Sequence, residues 1–226
     1  MTAAPLIIGL ALGMRHALEP DHLAALSTLA TEESGNARTS FGLGALWGLG
    51  HTLALLLVGG TLAVLGATMP ANIEHGLEFV VSLMIIGLGI RAVMKAVREG
   101  RNGQIHPHSH GREAHTHAAP VEHIHVSRST LATRPLLIGV MHGLAGSGAL
   151  TALVLAELPT MGARLGYIVL FGAGSVLGMA LLTGIAGVQV GKLVRTPQLA
   201  SALLFVTGIG STCVGLWWGA SALSSL

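Results

Sequence analysis

Charge is scarce in this chain of 226 residues: only 10% are Asp, Glu, Lys or Arg, against about a quarter in an ordinary soluble domain. Aromatic residues are scarcer, at 4%. A single cysteine, Cys213, excludes a disulfide framework and any CxxC redox pair. No P-loop and no HExxH pair occurs, so a built-in nucleotide motor and the commonest zinc-hydrolase helix are both missing. What abounds is glycine, with 32 residues, and apolar side chains, at 51%. Mean hydropathy is +0.70. This balance defines a helical protein of several membrane spans, in which glycine lets helices approach closely. The net charge of +2 is small, and the pI near 9.2 carries no nucleic-acid signal; the basic residues mark membrane sidedness.

Six apolar segments are expected as spans, at about 5–29, 41–66, 75–97, 133–158, 164–190 and 198–222. The opening MTAAPLIIGLALGM lacks a basic leader region and reads as the start of the first span. Between the third and fourth segments lies a polar linker, 98–132, dividing the chain into a first repeat (1–97) and a second (133–226). Leaving aside Arg15 within the first span, ten of the eleven remaining Lys and Arg fall on one side of this arrangement and only Arg164 on the other. The positive-inside rule then sets both termini outside and the linker in the cytoplasm of a cell whose inner membrane holds the protein. Trp217 and Trp218 suit an interfacial anchor at the outer end of the last span.

The two halves resemble each other. LGMRHAL (12–18) aligns with IGVMHGL (138–144), FGLGALWGLG (41–50) with FGAGSVLGMA (171–180), and IIGLGI (85–90) with VTGIGS (206–211). Three spans followed by three matching spans must cross in opposite senses. The expected fold is therefore all-α, with six transmembrane helices as a 3+3 inverted-topology repeat, as in many transporters with midplane sites.

The polar residues concentrate in RHALEPDHLAAL (15–26), inside the first span. An intramembrane acid costs at least about 2.5 kcal/mol on insertion scales and normally faces a partner or a cavity. On one unbroken helix His16 and His22 would point about 240° apart. Pro20 disrupts the preceding turn, so a first helix interrupted near Pro20 can bring His16, Asp21 and His22 to one point. WGLGHTLALL in the second span adds His51. Three imidazoles and a carboxylate suit a late first-row divalent ion and not Mg or Ca; protons compete for the same atoms. The plainer reading gives Asp21 a helix-capping role, pairs Glu19 with Arg15 at i,i+4, and makes His16 an interhelical hydrogen bonder. In the second half His142 matches His16, whereas Ser147 and Gly148 stand where Asp21 and His22 would be. His142 and Glu19 are thus further candidate ligands. The linker carries His106, His108, His110, His115, His117, His123 and His125, a composition suited to transient metal capture without a fold of its own. Such a linker also suits handover to a cytoplasmic metallochaperone.

HALEPDH matches the H-x-x-x-x-D-H signature of the nickel/cobalt transporter family, and LGHTLALL resembles that family's second histidine motif. The size, the six segments and MHGLAGSGALTALVL resemble the family's short, UreH-like nickel permeases. The resemblance covers most of the chain apart from the linker. It implies that His16, Asp21 and His22, with His51 from the second motif, form the metal site. The family's acidic motif in the second half has no counterpart, since LAGSGALTA carries no acid. The function expected is secondary transport of Ni²⁺, with Co²⁺ as a second substrate. Nickel is then cargo and not cofactor, and uptake is the favoured direction. Proton-coupled efflux is the alternative, and an intramembrane metalloenzyme a weaker one.

Overall fold

The computed structural model describes residues 4–32, 37–101, 108–110, 113–115, 128–193 and 196–226. Helices dominate: α1 (Ala4–His16), α2 (Pro20–Glu32), α3 (Ala37–Ala54), α4 (Gly60–Leu65), α5 (Ala71–Arg101), α6 (Arg128–Glu157), α7 (Met161–Leu193) and α8 (Pro197–Ser224). A π-helical turn, Leu55–Gly59, joins α3 to α4 without interrupting the span. Gly66 ends α4 in the left-handed conformation, φ 64°, where a Cβ would be strained. Thr196 starts α8 by accepting a hydrogen bond from the Leu199 amide at 3.3 Å, with Pro197 in the first turn.

Among the described residues, five helical stretches are long and apolar enough to cross a membrane: Arg38–Leu65, Ala71–Gly100, Thr133–Glu157, Met161–Val190 and Gln198–Ser224. Five of the six expected spans are thus present as single spanning helices. The first apolar segment forms two helices of 13 residues each, α1 and α2, and each is about 20 Å long at 1.5 Å per residue, short of a membrane core. The reason is Pro20. Its ring lacks an N–H and crowds the carbonyl four residues earlier, and that carbonyl belongs to His16, where α1 ends. The His16 carbonyl instead accepts from the Glu19 amide at 3.1 Å, and the Leu23 amide returns to the Glu19 carbonyl at 2.9 Å to begin α2.

The helices flanking the linker are longer than their apolar runs, with α5 reaching Arg101 and α6 starting at Arg128. Within the linker, His108–His110 and Glu113–His115 pair as a short antiparallel hairpin, His108 opposite His115. His106, His117, His123 and His125 lie outside the described residues.

Polar and apolar residues are distributed inside out. Ser40, Ser82, Ser147, Thr151, Ser175, Thr183 and Ser211 are buried, while Ile7, Leu57, Leu65 and Trp217 are exposed. A lipid surround accounts for this: apolar side chains face it at no cost, and inward hydroxyls return their protons to helix carbonyls, as Thr151 does to Ser147 at 2.6 Å. Trp217 faces outward as an interfacial anchor would. Trp218 turns inward against the cluster around Val81 and Ile85, so the expected pair of anchors is reduced to one.

Close backbone approaches fix the helix directions. Gly9 and Gly13 of α1 face Tyr167 and Phe171 of α7, so these helices run parallel. Gly44, Gly48 and Thr52 of α3 meet Thr183, Val176 and Gly172 of α7 in reverse order, which makes them antiparallel. Gly139 and Gly143 of α6 lie against Trp47 and His51 of α3, in parallel. Ser82 and Gly89 of α5 meet Gly219 and Thr212 of α8, antiparallel. A Cβ at Gly13 or Gly139 would collide with the carbonyl of Phe171 or Trp47. These glycines therefore set how near α7 and α3 come to the elements that carry the site.

Candidate metal centre

His16 is the last residue of α1, and Asp21 and His22 lie in the first turn of α2. The break at Pro20 folds this short stretch back on itself, and the two rings that a continuous helix would separate have centroids 4.5 Å apart. His51 comes from the middle of α3, with its centroid 4.9 Å from His16 and 5.5 Å from His22. His142 arrives from α6, 5.0 Å from His22. One nitrogen from each of His16, His22 and His51 can be chosen so that all lie within 4.8 Å of one another. Glu19, Asp21 and His22 form a second such group, so His22 belongs to both. His22, His51 and His142 are 2%, 0% and 3% exposed; bulk water does not solvate them.

His142 Nδ1 lies 3.2 Å from the Ile138 carbonyl, which can only accept, so Nδ1 carries the proton. Nε2 is then a bare lone pair in the neutral ring. That atom lies 3.7 Å from Asp21 Oδ2. His16 Nδ1 sits 2.9 Å from Glu19 Oε2, while His16 Nε2 and His51 Nε2 face each other at 3.0 Å. His22 Nδ1 lies 3.0 Å from Asp21 Oδ2, an electrostatic contact without hydrogen-bond alignment. Among the described residues His22 Nε2, His51 Nδ1 and His142 Nε2 have no hydrogen-bond partner. Buried imidazole nitrogens in this state want a proton or a metal. The 3.0 Å separation of the His16 and His51 nitrogens also matches neighbouring ligands of an octahedral ion, since bonds of about 2.1 Å at right angles span about 3.0 Å.

Aromatic side chains hold the rings in place. Trp47, one turn before His51, stacks on His22 with centroids 5.5 Å apart and 21° between planes, and it meets His142 edge-on at 5.6 Å. Phe171 closes over His16 at 5.3 Å. A cavity of about 340 Å³ is lined by His16, Asp21, His22 and His142 together with Glu74, Glu78 and Trp218.

The four residues expected as the core of a site, His16, Asp21, His22 and His51, are thus brought together. Glu19 and His142 join at its edge. Glu19 contacts His16 and not Arg15. Of the linker histidines, only the backbones of His108, His110 and His115 are among the described residues. Sequence reasoning passed over Trp47, Phe171, Glu74 and Glu78. Glu78 lies inside the third apolar segment, and an acid in such a place is itself a functional signal. Trp47 could have been found from its one-turn spacing to His51.

A bundle of lipid-facing helices around a buried imidazole–carboxylate cluster defines a multi-pass membrane protein that handles a transition-metal cation. The chain belongs to the NicO family, whose model, described as "High-affinity nickel-transport protein", matches residues 4–203. It is also 34% identical over 212 residues to the "Urease accessory protein UreH" of Bacillus sp. (strain TB-90), covering 93% of this chain and 88% of that protein. No solved structure matches the chain. Membership makes this a nickel transporter and not an enzyme, with nickel as transported substrate and not as cofactor.

Proposed function

We propose that this protein is a secondary permease that takes Ni²⁺, with Co²⁺ as a second substrate, into the cell through His16, Asp21, His22 and His51, with His142 completing the shell. The observation that carries this reading is the cluster of buried imidazoles, several of their nitrogens without a hydrogen-bond partner, next to the Asp21 carboxylate. A divalent ion can take one nitrogen from each of His16, His22 and His51. Imidazole ligands favour Ni²⁺ and its neighbours over Mg²⁺ or Ca²⁺.

The helix directions support a 3+3 inverted repeat, with repeats at 1–97 and 133–226 about the linker 98–132. Parallel α1/α7 and α3/α6, combined with antiparallel α3/α7, make α1 run opposite to α6. Each element of the first half therefore opposes its counterpart: α1 with α6, α3 with α7, α5 with α8. Counting α1 and α2 as one broken crossing gives six. Both termini then lie on the side away from the linker, and the Lys/Arg distribution puts them outside the cytoplasmic membrane. The His-rich linker faces the cytoplasm, where it collects metal and suits handover to a metallochaperone.

A membrane potential negative inside drives a divalent cation inward by about 4.6 kcal/mol per 100 mV, twice the single-charge value. Import thus runs as a uniport. Nickel efflux by proton exchange is the competing outcome. The test is ⁶³Ni²⁺ uptake into proteoliposomes with the potential set negative inside. Wild-type uptake is expected to rise with the potential, and His16→Ala, Asp21→Asn, His22→Ala and His51→Ala are each expected to fall to background. Normal uptake by all four variants overturns the site. Uptake driven by a proton gradient and indifferent to potential favours exchange.

A further inference from the structure

The second half carries no acid where the first half has Asp21, and at the position matching His22 it has Gly148. The structure fills that gap from another element. A Cβ built on Gly148 would lie 2.5 Å from Glu74 Cδ and 2.6 Å from its Oε1, so the absence of a side chain on α6 is what admits the Glu74 carboxylate. Glu78 follows one turn later on α5, its Oε2 3.1 Å from His75 Nδ1. Both acids line the cavity that His22 and His142 also line. Those two rings are almost fully buried, and each has an unpartnered Nε2. With Glu19 and Asp21 the cavity wall holds four carboxylates, and among the described residues no Lys or Arg lines it. Glu74 and Glu78 sit near the start of α5, on the side of the bundle shared by both termini.

We propose that Glu74 and Glu78 form an outer divalent-cation station, from which an ion steps to Asp21 and then to the imidazoles. This extends the permease reading and rests on it for the direction of travel. Carboxylates bind an incoming ion through oxygen and leave most of its water in place. The imidazoles deeper in then exchange that water for nitrogen. A cleft of one charge sign also concentrates counter-ions, by about 10-fold to 1,000-fold in on-rate, and salt screens the effect.

Two measurements on the full-length protein test this. In proteoliposomes, the Glu74→Gln/Glu78→Gln variant is expected to lose about ten-fold in kcat/KM for ⁶³Ni²⁺ uptake, mostly through KM. Its residual rate should be less sensitive to salt than wild type. Glu74→Asp/Glu78→Asp, which keeps the charge, should retain the salt sensitivity, and Gly148→Ala should raise KM by displacing Glu74. In lipid nanodiscs, Mn²⁺ serves as an oxygen-seeking probe read by electron paramagnetic resonance. The double Gln variant should bind less Mn²⁺ than wild type, whereas Cys213→Ala, at an exposed position that does not line the cavity, should bind as much. Unchanged Mn²⁺ binding in the double Gln variant overturns the station, as does an Asp variant as impaired as the Gln variant. Because the Mn²⁺ measurement needs no transport, it decides the station even if nickel flux fails in wild type.

Discussion

At the scale of single residues, the centre is organised by who holds which proton. The Ile138 carbonyl fixes His142 with Nε2 bare toward Asp21, the outer-shell arrangement by which metal-binding histidines are oriented. His142→Gln is therefore expected to weaken Ni²⁺ binding about ten-fold or more while uptake persists at a reduced rate, as read by ⁶³Ni²⁺ flux against concentration. An unchanged KM would make His142 a packing residue. Acid should act in the same direction. Protons compete with metal for the same imidazole nitrogens, so acidifying the outside should raise KM. A KM that falls on acidification contradicts this and fits proton-driven nickel movement instead. His16, Asp21, His22 and His51 were legible in the sequence because charged and ligating side chains are costly in apolar segments. Glu74 was not, since its role depends on Gly148 of another helix, and no local pattern records that contact. Arg164, the exception to the charge bias, donates from Nε to the Leu158 carbonyl at 2.8 Å and so serves the end of α6.

At the scale of elements, Pro20 was readable as a break, and the break is where the site forms. What could not be read is how the halves are held apart. Ser175 of α7 donates to the Gly13 carbonyl of α1 at 3.3 Å, and Ser211 of α8 donates to the Ala24 carbonyl of α2 at 2.8 Å. The two short helices are thus tied to different long ones, a consequence of packing that no periodicity within 5–29 encodes. Pro20→Ala removes the steric reason for the break, worth about 3 kcal/mol in a helix interior. This variant is expected to insert and remain at least as stable to heating as wild type, yet to lose ten-fold or more of its uptake as His16 and His22 part. Full activity with Pro20 replaced would show that α7 and α8 hold the halves without it. The apolar segments themselves agree with α3–α4, α5, α6, α7 and α8 to within a few residues, because hydropathy of this length has few alternative solutions.

At the scale of the whole molecule, orientation and the linker remain the points where sequence and structure carry different weight. The proposed orientation rests on the charge bias, a sequence signal, and on the helix directions, a structural one. With Cys213 replaced by Ala, a cysteine at Ser225 should react with an impermeant maleimide added to intact cells, and one at Ser109 should not; the reverse pattern inverts the topology. Deleting 106–125 should change the apparent affinity or regulation of uptake but leave transport running, because none of the centre's ligands lies there. Complete loss in correctly inserted protein would put the linker on the ion path. The central claim, that the ion rests between the broken first segment, α3 and α6, is tested most directly by anomalous X-ray diffraction at the nickel edge from crystals grown with Ni²⁺. The account predicts an anomalous peak within about 2.1 Å of nitrogens from at least two of His16, His22 and His51, beside Asp21. Nickel bound elsewhere, with no peak among these residues at saturating metal, would contradict it.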